Sequence, residues 1–529
     1  MTPEATSPAA RSGSTRPLPE VFSPVSSRRH DPRWTFALVS AGGVMMTLDV
    51  TVVNVALSDV ARDLETGLDR VQWTVSAYSL AFGALLLTAG ALSDRLGRRA
   101  VFTAGMVLFT LASAACGLAP DAGALIAART AQGLGGAMVF APTLALIAAA
   151  YDGARRRAAI AAYALVASAA GALGPIVGGL LVTGFGWRWI FLVNVPIGLL
   201  VVAGALRRMP GAAAPDDGRP RVDVPGALLA VGTLLALHYP LVTGPEAGWT
   251  APEVLGSAGA GVLLAAALVA VQRRGGGLVD MTLLRIRAFS GAAVLGFLAR
   301  LSSLGMLAFL TLWLQSTYGY SPLRTGLLLL PLTGGLLITG LFVNGLQKRF
   351  PAHVLVAAGF AAQGLGLLLL ALAGAGTGQA VLVTGLALLG AGGAVIFPPL
   401  MGVAVGTVPE ERAGMASGLT NACYPLGTAT GVAVFGAVFA ARLDSGLGAG
   451  PTAAAPVREA VETGRFDLLA PALRAPATTA FSGAFTAVCL AAALVCLLGV
   501  AASRALRPDP GPSGAVREPR PRARAARAS

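Results

Sequence analysis

The chain has 529 residues, 55% of them hydrophobic and only 12% charged, with a mean hydropathy of +0.72. Soluble proteins carry about 25% charged residues, so a single soluble domain is excluded. The net charge of +14 does not mark a nucleic-acid partner, because the basic residues fall in short loops between apolar stretches.

Residues 1–33, rich in Pro, Ser and Arg, read as a disordered tail. They are not a signal peptide: the first apolar run is too long and too far in, and lacks a small-residue cleavage site. From there, stretches of the roughly 20 apolar residues that one membrane crossing requires recur along the chain. They lie near 34–57, 73–93, 99–119, 122–150, 158–183, 188–207, 223–243, 252–272, 288–317, 323–345, 351–374, 379–400, 412–441 and 477–502. The expected fold class is therefore an all-α integral membrane protein of about fourteen spans. Gly supplies 68 residues, above the usual ~7%, as expected where helices pack closely in lipid.

With both termini inside, about 29 of the 39 Lys and Arg residues fall on the inner side and about 8 outside, as the positive-inside rule requires. The inner clusters include Arg95, Arg98 and Arg99, Arg155 to Arg157, Arg207 and Arg208, Arg285 and Arg287, and Lys348 and Arg349. The expected division is six, two and six: an N-terminal half over 34–207, a linker over 208–287 with two inserted helices, and a C-terminal half over 288–502. The outer segment 442–476 is expected to be a partly helical cap, and the basic residues 503–529 a disordered cytoplasmic tail. Repeated halves hold the substrate between them near the midplane.

Asp49 sits inside the first span, in Leu48-Asp-Val-Thr-Val-Val-Asn-Val-Ala-Leu57. A carboxylate at that depth costs roughly 2.5–3.5 kcal/mol or more, which marks it as functional by default. Desolvation disfavours the ionised form of a carboxylate, so such a group suits a proton carrier. The turn between the second and third spans reads Gly90-Ala-Leu-Ser-Asp-Arg-Leu-Gly-Arg-Arg-Ala-Val-Phe102. There Asp94 can accept from an arginine or a helix N-terminus and latch one conformation. The fourth span carries Arg129-Thr-Ala-Gln-Gly-Leu-Gly-Gly136, whose arginine needs a partner or water. The fifth carries Gly171-Ala-Leu-Gly-Pro-Ile-Val-Gly-Gly179, in which Pro175 bends the helix and the glycines offer a smooth face.

Arg300 is a further intramembrane charge. If deep, it faces the cavity and pairs with an acidic substrate or with Asp49; if shallow, it snorkels to the interface. Cys116, Cys423, Cys489 and Cys496 read as small packing residues, and His238 as a packing or interfacial residue. No nucleotide-binding loop, metal-binding His-Glu-x-x-His or nucleophile–base arrangement is present. Energy is then expected from an ion gradient, with no cofactor, no metal and no enzymatic activity.

These strings together resemble the major facilitator superfamily. The turn from Gly90 to Phe102 resembles its second-to-third loop signature, carried here by Gly90, Asp94, Arg95, Gly97, Arg98 and Arg99. Arg129 resembles the arginine implicated in proton transfer. Gly171, Gly174, Pro175, Gly178 and Gly179 resemble the antiporter motif found in exporters. The Leu48–Leu57 run, with Asp49 and Asn54, resembles the first helix of the fourteen-helix drug:proton antiporters. The stretches Trp313–Leu327, followed by Pro331, and Gly414–Asn421, running on to Gly427 and Gly431, look like the same branch. Tyr424-Pro425 departs from it, standing where relatives usually have a basic-polar pair.

The resemblance covers about residues 34–502. It implies a major facilitator fold in a bacterial inner membrane and export of a hydrophobic or amphipathic drug or antibiotic in exchange for protons. Asp49 and Arg129 are the expected proton-coupling pair, and Asn54, Gln132, Arg300, Trp313, Gln315 and Asn421 the expected cavity lining. The expected partners are the drug, protons and the bilayer, with the chain a monomer. Lys348 is the lone lysine, which suggests a high-GC genome, where such exporters often resemble self-resistance pumps. The rival readings are an uptake symporter, disfavoured by the fifth-span motif, and a non-transporting sensor, for which neither tail looks foldable.

Overall fold

The computed structural model describes residues 31–209, 223–273, 282–373, 379–408, 413–448 and 455–507, and every regular element among them is helical. The N-terminal elements are α1 (Pro32–Asp63), α2 (Leu68–Leu96), α3 (Arg98–Gly117), α4 (Ala122–Ala150), α5 (Gly153–Phe185), α6 (Trp189–Leu192) and α7 (Asn194–Arg208). A pair follows, α8 (Val224–Ala247) and α9 (Pro252–Arg273). Then come α10 (Arg287–Tyr318), α11 (Pro322–Leu328), α12 (Leu330–Arg349), α13 (Ala352–Leu372), α14 (Gln379–Gly406), α15 (Ala413–Leu447), α16 (Ala455–Glu462) and α17 (Pro471–Ala502).

Twelve spans are long and apolar enough to cross a membrane; α2 and α5, bent by 52° and 42°, bring the number up to 14 when each bent helix counts as one crossing. The bend in α5 falls between Gly171 and Leu173. Pro175 has no N–H for the carbonyl of Gly171 four residues earlier, so the helix opens there.

Short polar residues start the helices. Asp31 accepts from Arg33 N at 2.9 Å, Asp121 from Ala124 N at 2.8 Å, and Asp223 from Gly226 N at 2.8 Å, each satisfying a backbone donor that the helix start leaves free. Gly97 both ends α2 and starts α3, at φ +96°, which a residue with a Cβ adopts only under strain.

The helices before the α8–α9 pair and those after it share one packing pattern. The first helix lies on the fifth (α1 on α5, α10 on α15), the second and third on the fourth (α2 and α3 on α4, α12 and α13 on α14), and the third on the sixth (α3 on α7, α13 on α17). The α8–α9 pair packs on itself, and α8 touches both α2 and α15. Two buried apolar clusters belong mainly to α1–α7, and a larger one to α10–α17. Ala308 of α10 and Val432 of α15 join the first of these from across the seam. Large apolar side chains face outward, with Leu200 73%, Leu263 73% and Leu341 72% exposed, an arrangement that lipid makes favourable.

The tails expected over 1–33 and 503–529 lie largely outside the described residues. Helix α1 already begins at Pro32, and a 3-10 turn covers Ser503–Leu506. Within the segment 442–476, α15 continues to Leu447, α16 is a short helix, and α17 starts at Pro471, ahead of the expected 477. Proline at the first turn of α17 explains the early start.

Candidate functional site

Asp49 and Arg129 meet between α1 and α4. Arg129 Nη1 donates to Asp49 Oδ2 at 2.5 Å, and both side chains are 1% exposed. The guanidinium also donates to Gln132 Oε1 at 2.7 Å and, through Nε, to the carbonyl of Thr74 at 3.0 Å. The other Asp49 oxygen accepts from Gln132 Nε2 at 2.8 Å and from Asn194 Nδ2 at 3.3 Å. Ser113 Oγ accepts from both amides, at 2.8 Å and 3.4 Å. Tyr78 covers the guanidinium carbon, 4.4 Å from the ring centre. The result is a closed network over α1, α2, α3, α4 and α7. Hydrogen bonds to charged groups contribute about 1.5–3 kcal/mol each, and breaking a buried pair costs about 3–5 kcal/mol, so the network holds these helices in one arrangement while Asp49 is ionised.

The polar side chains flanking Asp49 in α1 turn back on their own helix. Thr47 donates to Gly43 O at 2.8 Å, Thr51 to Leu48 O at 3.1 Å, and Asn54 Nδ2 to Val50 O at 3.1 Å. Asp49 is the residue of this run whose side chain reaches other helices.

The five marked residues of α5 serve two contacts, three of them on α1 within the same half and two on α11 across the seam between the halves. Gly171 lies over Thr47, Gly174 over Thr51 and Gly178 over Val52, all on α1. A Cβ on Gly179 would come within 2.6 Å of the Leu323 backbone in α11, and Gly326 of α11 abuts the Pro175 carbonyl. Cross-seam hydrogen bonds fall at the same end: Thr311 Oγ1 donates to Asn54 O at 2.7 Å and Gln315 Nε2 to Val55 O at 2.9 Å. This end lies away from the arginine-rich turns, so the halves are closed there.

At the arginine-rich end, the α2–α3 turn is tied to its own half. Arg98 Nη1 donates to Ala145 O at 3.3 Å and Arg99 Nη2 to Leu206 O at 2.6 Å. Asp94 is exposed and lies 3.9 Å from Arg98 Nε. Gly90 has open space beside it, and Arg95 is exposed. Among the described residues, the latch expected of Asp94 engages no helix N-terminus in this conformation.

The six expected cavity residues are not brought together. Gln132 is fully buried in the Asp49 network. Asn54 is back-bonded at the seam, and Gln315 is bonded across it. Trp313 is 1% exposed and stacked on Phe485 at 4.4 Å, with its N–H on Ser482 Oγ at 3.3 Å, which makes it a core residue of this conformation. Arg300 does not pair with Asp49, whose oxygens are filled by Arg129, Gln132 and Asn194. It lies instead over Phe397 and Tyr424, while Asn421, three residues before Tyr424 on α15, donates to Ser417 Oγ at 3.4 Å. Tyr424-Pro425 leaves α15 a continuous helix from Ala413 to Leu447. A cleft of about 810 Å³ at the arginine-rich end, rimmed by Arg285, Arg287 and Arg507, includes none of these residues.

Ser113, Asn194, Thr74 and Tyr78 are network members that the motifs do not mark. Their sequence signal is faint, single hydroxyl or amide residues scattered through apolar spans. Cys116, read as packing, places its thiol 3.6 Å from Gln132 Oε1. His238 is buried edge-on to Trp73 at 5.0 Å. Among the described residues no group of three or more metal-ligating side chains occurs.

Residues 39–432 match the Major Facilitator Superfamily. The chain is 39% identical over 415 residues to the multidrug resistance protein Stp of Mycobacterium tuberculosis, covering 78% of this chain and 77% of that one. It is 36% identical to the methylenomycin A resistance protein of Streptomyces coelicolor, covering 80% and 90%. Among solved structures it is similar to a bacterial homologue of the human lysosomal transporter Spinster, at a TM-score of 0.63 and 15% identity over 91% of this chain and 98% of that one. The chain belongs to the major facilitator superfamily and is a multi-pass protein of the bacterial cytoplasmic membrane.

Proposed function

We propose that the protein is a proton-coupled antiporter that exports a hydrophobic or amphipathic drug or antibiotic and so confers resistance. The resistance proteins that share most of its length support the export reading. The observation that carries the coupling is the sealed Asp49–Arg129 pair, the one proton-accepting carboxylate in the middle of the described spans. It works without a cofactor and without enzymatic chemistry.

In this reading the chain crosses the membrane fourteen times, as halves 34–207 and 288–502 joined by the linker 208–287, with both termini in the cytoplasm. The arginine-rich turns support that orientation. The seam closed around Asn54, Thr311 and Gly179 is then external, and the structure is the inward-facing state with Asp49 ionised. A drug taken up from the inner side favours the outward-facing state. There a proton from outside neutralises Asp49, which releases Arg129 and loosens α1 from α4. Because α1 lies on the glycine face of α5, and α5 on α11, that shift reaches the external seam. Return to the inward-facing state delivers the proton inside and re-forms the pair. Each proton moving down 100 mV supplies about 2.3 kcal/mol, and coupling follows because drug and proton bias the same equilibrium in opposite senses.

In a host stripped of its own exporters, expression is expected to lower accumulation of a susceptible antibiotic or dye and raise its inhibitory concentration, and a protonophore is expected to cancel both. Raised accumulation would establish the uptake symporter instead.

A further inference from the structure

Three charged side chains occupy the middle of the described spans, and two of them, Asp49 and Arg129, neutralise each other. The third, Arg300, has no ion-pair or hydrogen-bond partner among the described residues, and its Nε is shielded from solvent with its donor unspent. A cation in the membrane interior is costly, and proteins rarely keep one there without a task.

Its surroundings are built around it. The guanidinium carbon lies 4.4 Å from the centre of the Phe397 ring of α14 and 5.9 Å from that of Tyr424 of α15. The two rings meet edge to face at 5.0 Å and 67°. Gly296, one turn before Arg300, is where the Tyr424 ring lies against α10; a Cβ there would collide with it. The two aromatic faces hold the cation by its attraction to their π electrons while leaving its N–H groups free. The Tyr424 hydroxyl is also buried without a partner, a second unspent donor beside the first. Arg300 keeps partial exposure, so open space reaches it. It stands thirteen residues along α10 from Arg287, roughly 20 Å at 1.5 Å per residue, too deep for a lipid headgroup.

We propose that Arg300, Phe397 and Tyr424 form the seat for a carboxylate on the exported compound, so that the transporter selects amphipathic organic acids. The inference rests on the export reading and specifies its substrate class. A guanidinium fork matches a carboxylate in a way that an amide or an ammonium cannot reproduce, and the aromatic walls take the apolar body. No acidic side chain is left free in the middle of the described spans to attract a cationic drug, since Asp49 is sealed by Arg129.

The test uses three dansyl-labelled alkyl probes of equal length, ending in a carboxylate, a primary amide or a trimethylammonium group. Their uptake is followed in energised everted membrane vesicles with and without the protein. The carboxylate probe is expected to be taken up at least tenfold faster than the ammonium probe. Arg300→Gln is expected to reduce that uptake at least tenfold without reducing uptake of the amide probe, and Arg300→Lys to retain part of it. Thermal unfolding of the purified Gln variant is expected at or above the wild-type midpoint, because an unpaired charge has been removed, and the carboxylate probe is expected to raise the midpoint of the wild type alone. Equal carboxylate uptake by wild type and Arg300→Gln, or preference for the ammonium probe, would overturn the proposal while leaving export intact. Uptake of no probe above the control vesicles would overturn the export reading itself.

Discussion

Asp49 has both carboxylate oxygens filled by donors from α4 and α7. Removing one partner strands the other in a dry site. Arg129→Gln is therefore expected to destabilise the protein by about 3–5 kcal/mol, and the double variant Asp49→Asn/Arg129→Gln to recover most of that loss, as measured by thermal unfolding in nanodiscs. Additive losses would show that the pair does not act as a unit. Asn194→Ala is expected to weaken the network more mildly, by about 1–3 kcal/mol, with a lower unfolding midpoint and slower drug-dependent proton exchange. At this scale the sequence was only half legible. A carboxylate and an arginine in apolar runs announce themselves by their cost, so Asp49 and Arg129 stand out. Ser113, Asn194 and Thr74 do not, because single hydroxyls and amides in membrane helices are common and their partners lie on other helices. The expected cavity set is not assembled in this conformation for the same reason: Gln132, Trp313 and Gln315 are polar or amphipathic enough to line a cavity, and here that capacity is used in packing.

At the scale of the helix, α5 does two jobs with one glycine face. Gly171, Gly174 and Gly178 bring it against the Asp49 helix, and Gly179 with the Pro175 carbonyl brings it against α11 across the seam. Small-residue faces of this kind replace the hydrophobic driving force that lipid does not supply. Gly179→Val is expected to pry the seam open. In a cysteine-free background carrying Gln315→Cys, it should increase labelling by a membrane-impermeant maleimide added outside, where the unaltered seam protects that position. Unchanged labelling would remove α5 from the closure. Helix positions were the most legible part of the chain, since apolar runs, Asp and Ser caps, and prolines and glycines at the ends all act locally. The packing role of the glycine face could be read, but its second contact, with α11, could not, because α11 is 143 residues further on, from Gly179 to Pro322, and only the fold brings them together.

For the whole molecule, the closed end is the one without arginine clusters, and at the opposite end Asp94 and Arg98 lie 3.9 Å apart and exposed. Alkaline phosphatase fused after Ala251, between α8 and α9, is expected to be active, and green fluorescent protein on either terminus to fluoresce. A silent phosphatase there would remove the inserted pair from the count of crossings. An all-helical architecture was legible from the apolar runs, yet the sequence carries no sign of which conformation the halves adopt, because that depends on the balance of two seams and not on any one motif. The central claim is that Asp49 carries the exchanged proton. Purified protein reconstituted in liposomes with a pH-sensitive dye, given a compound it exports, is expected to move protons against the drug, and Asp49→Asn to abolish that proton movement while leaving the protein folded and drug binding measurable. Drug-driven proton movement at the wild-type rate in Asp49→Asn would contradict it.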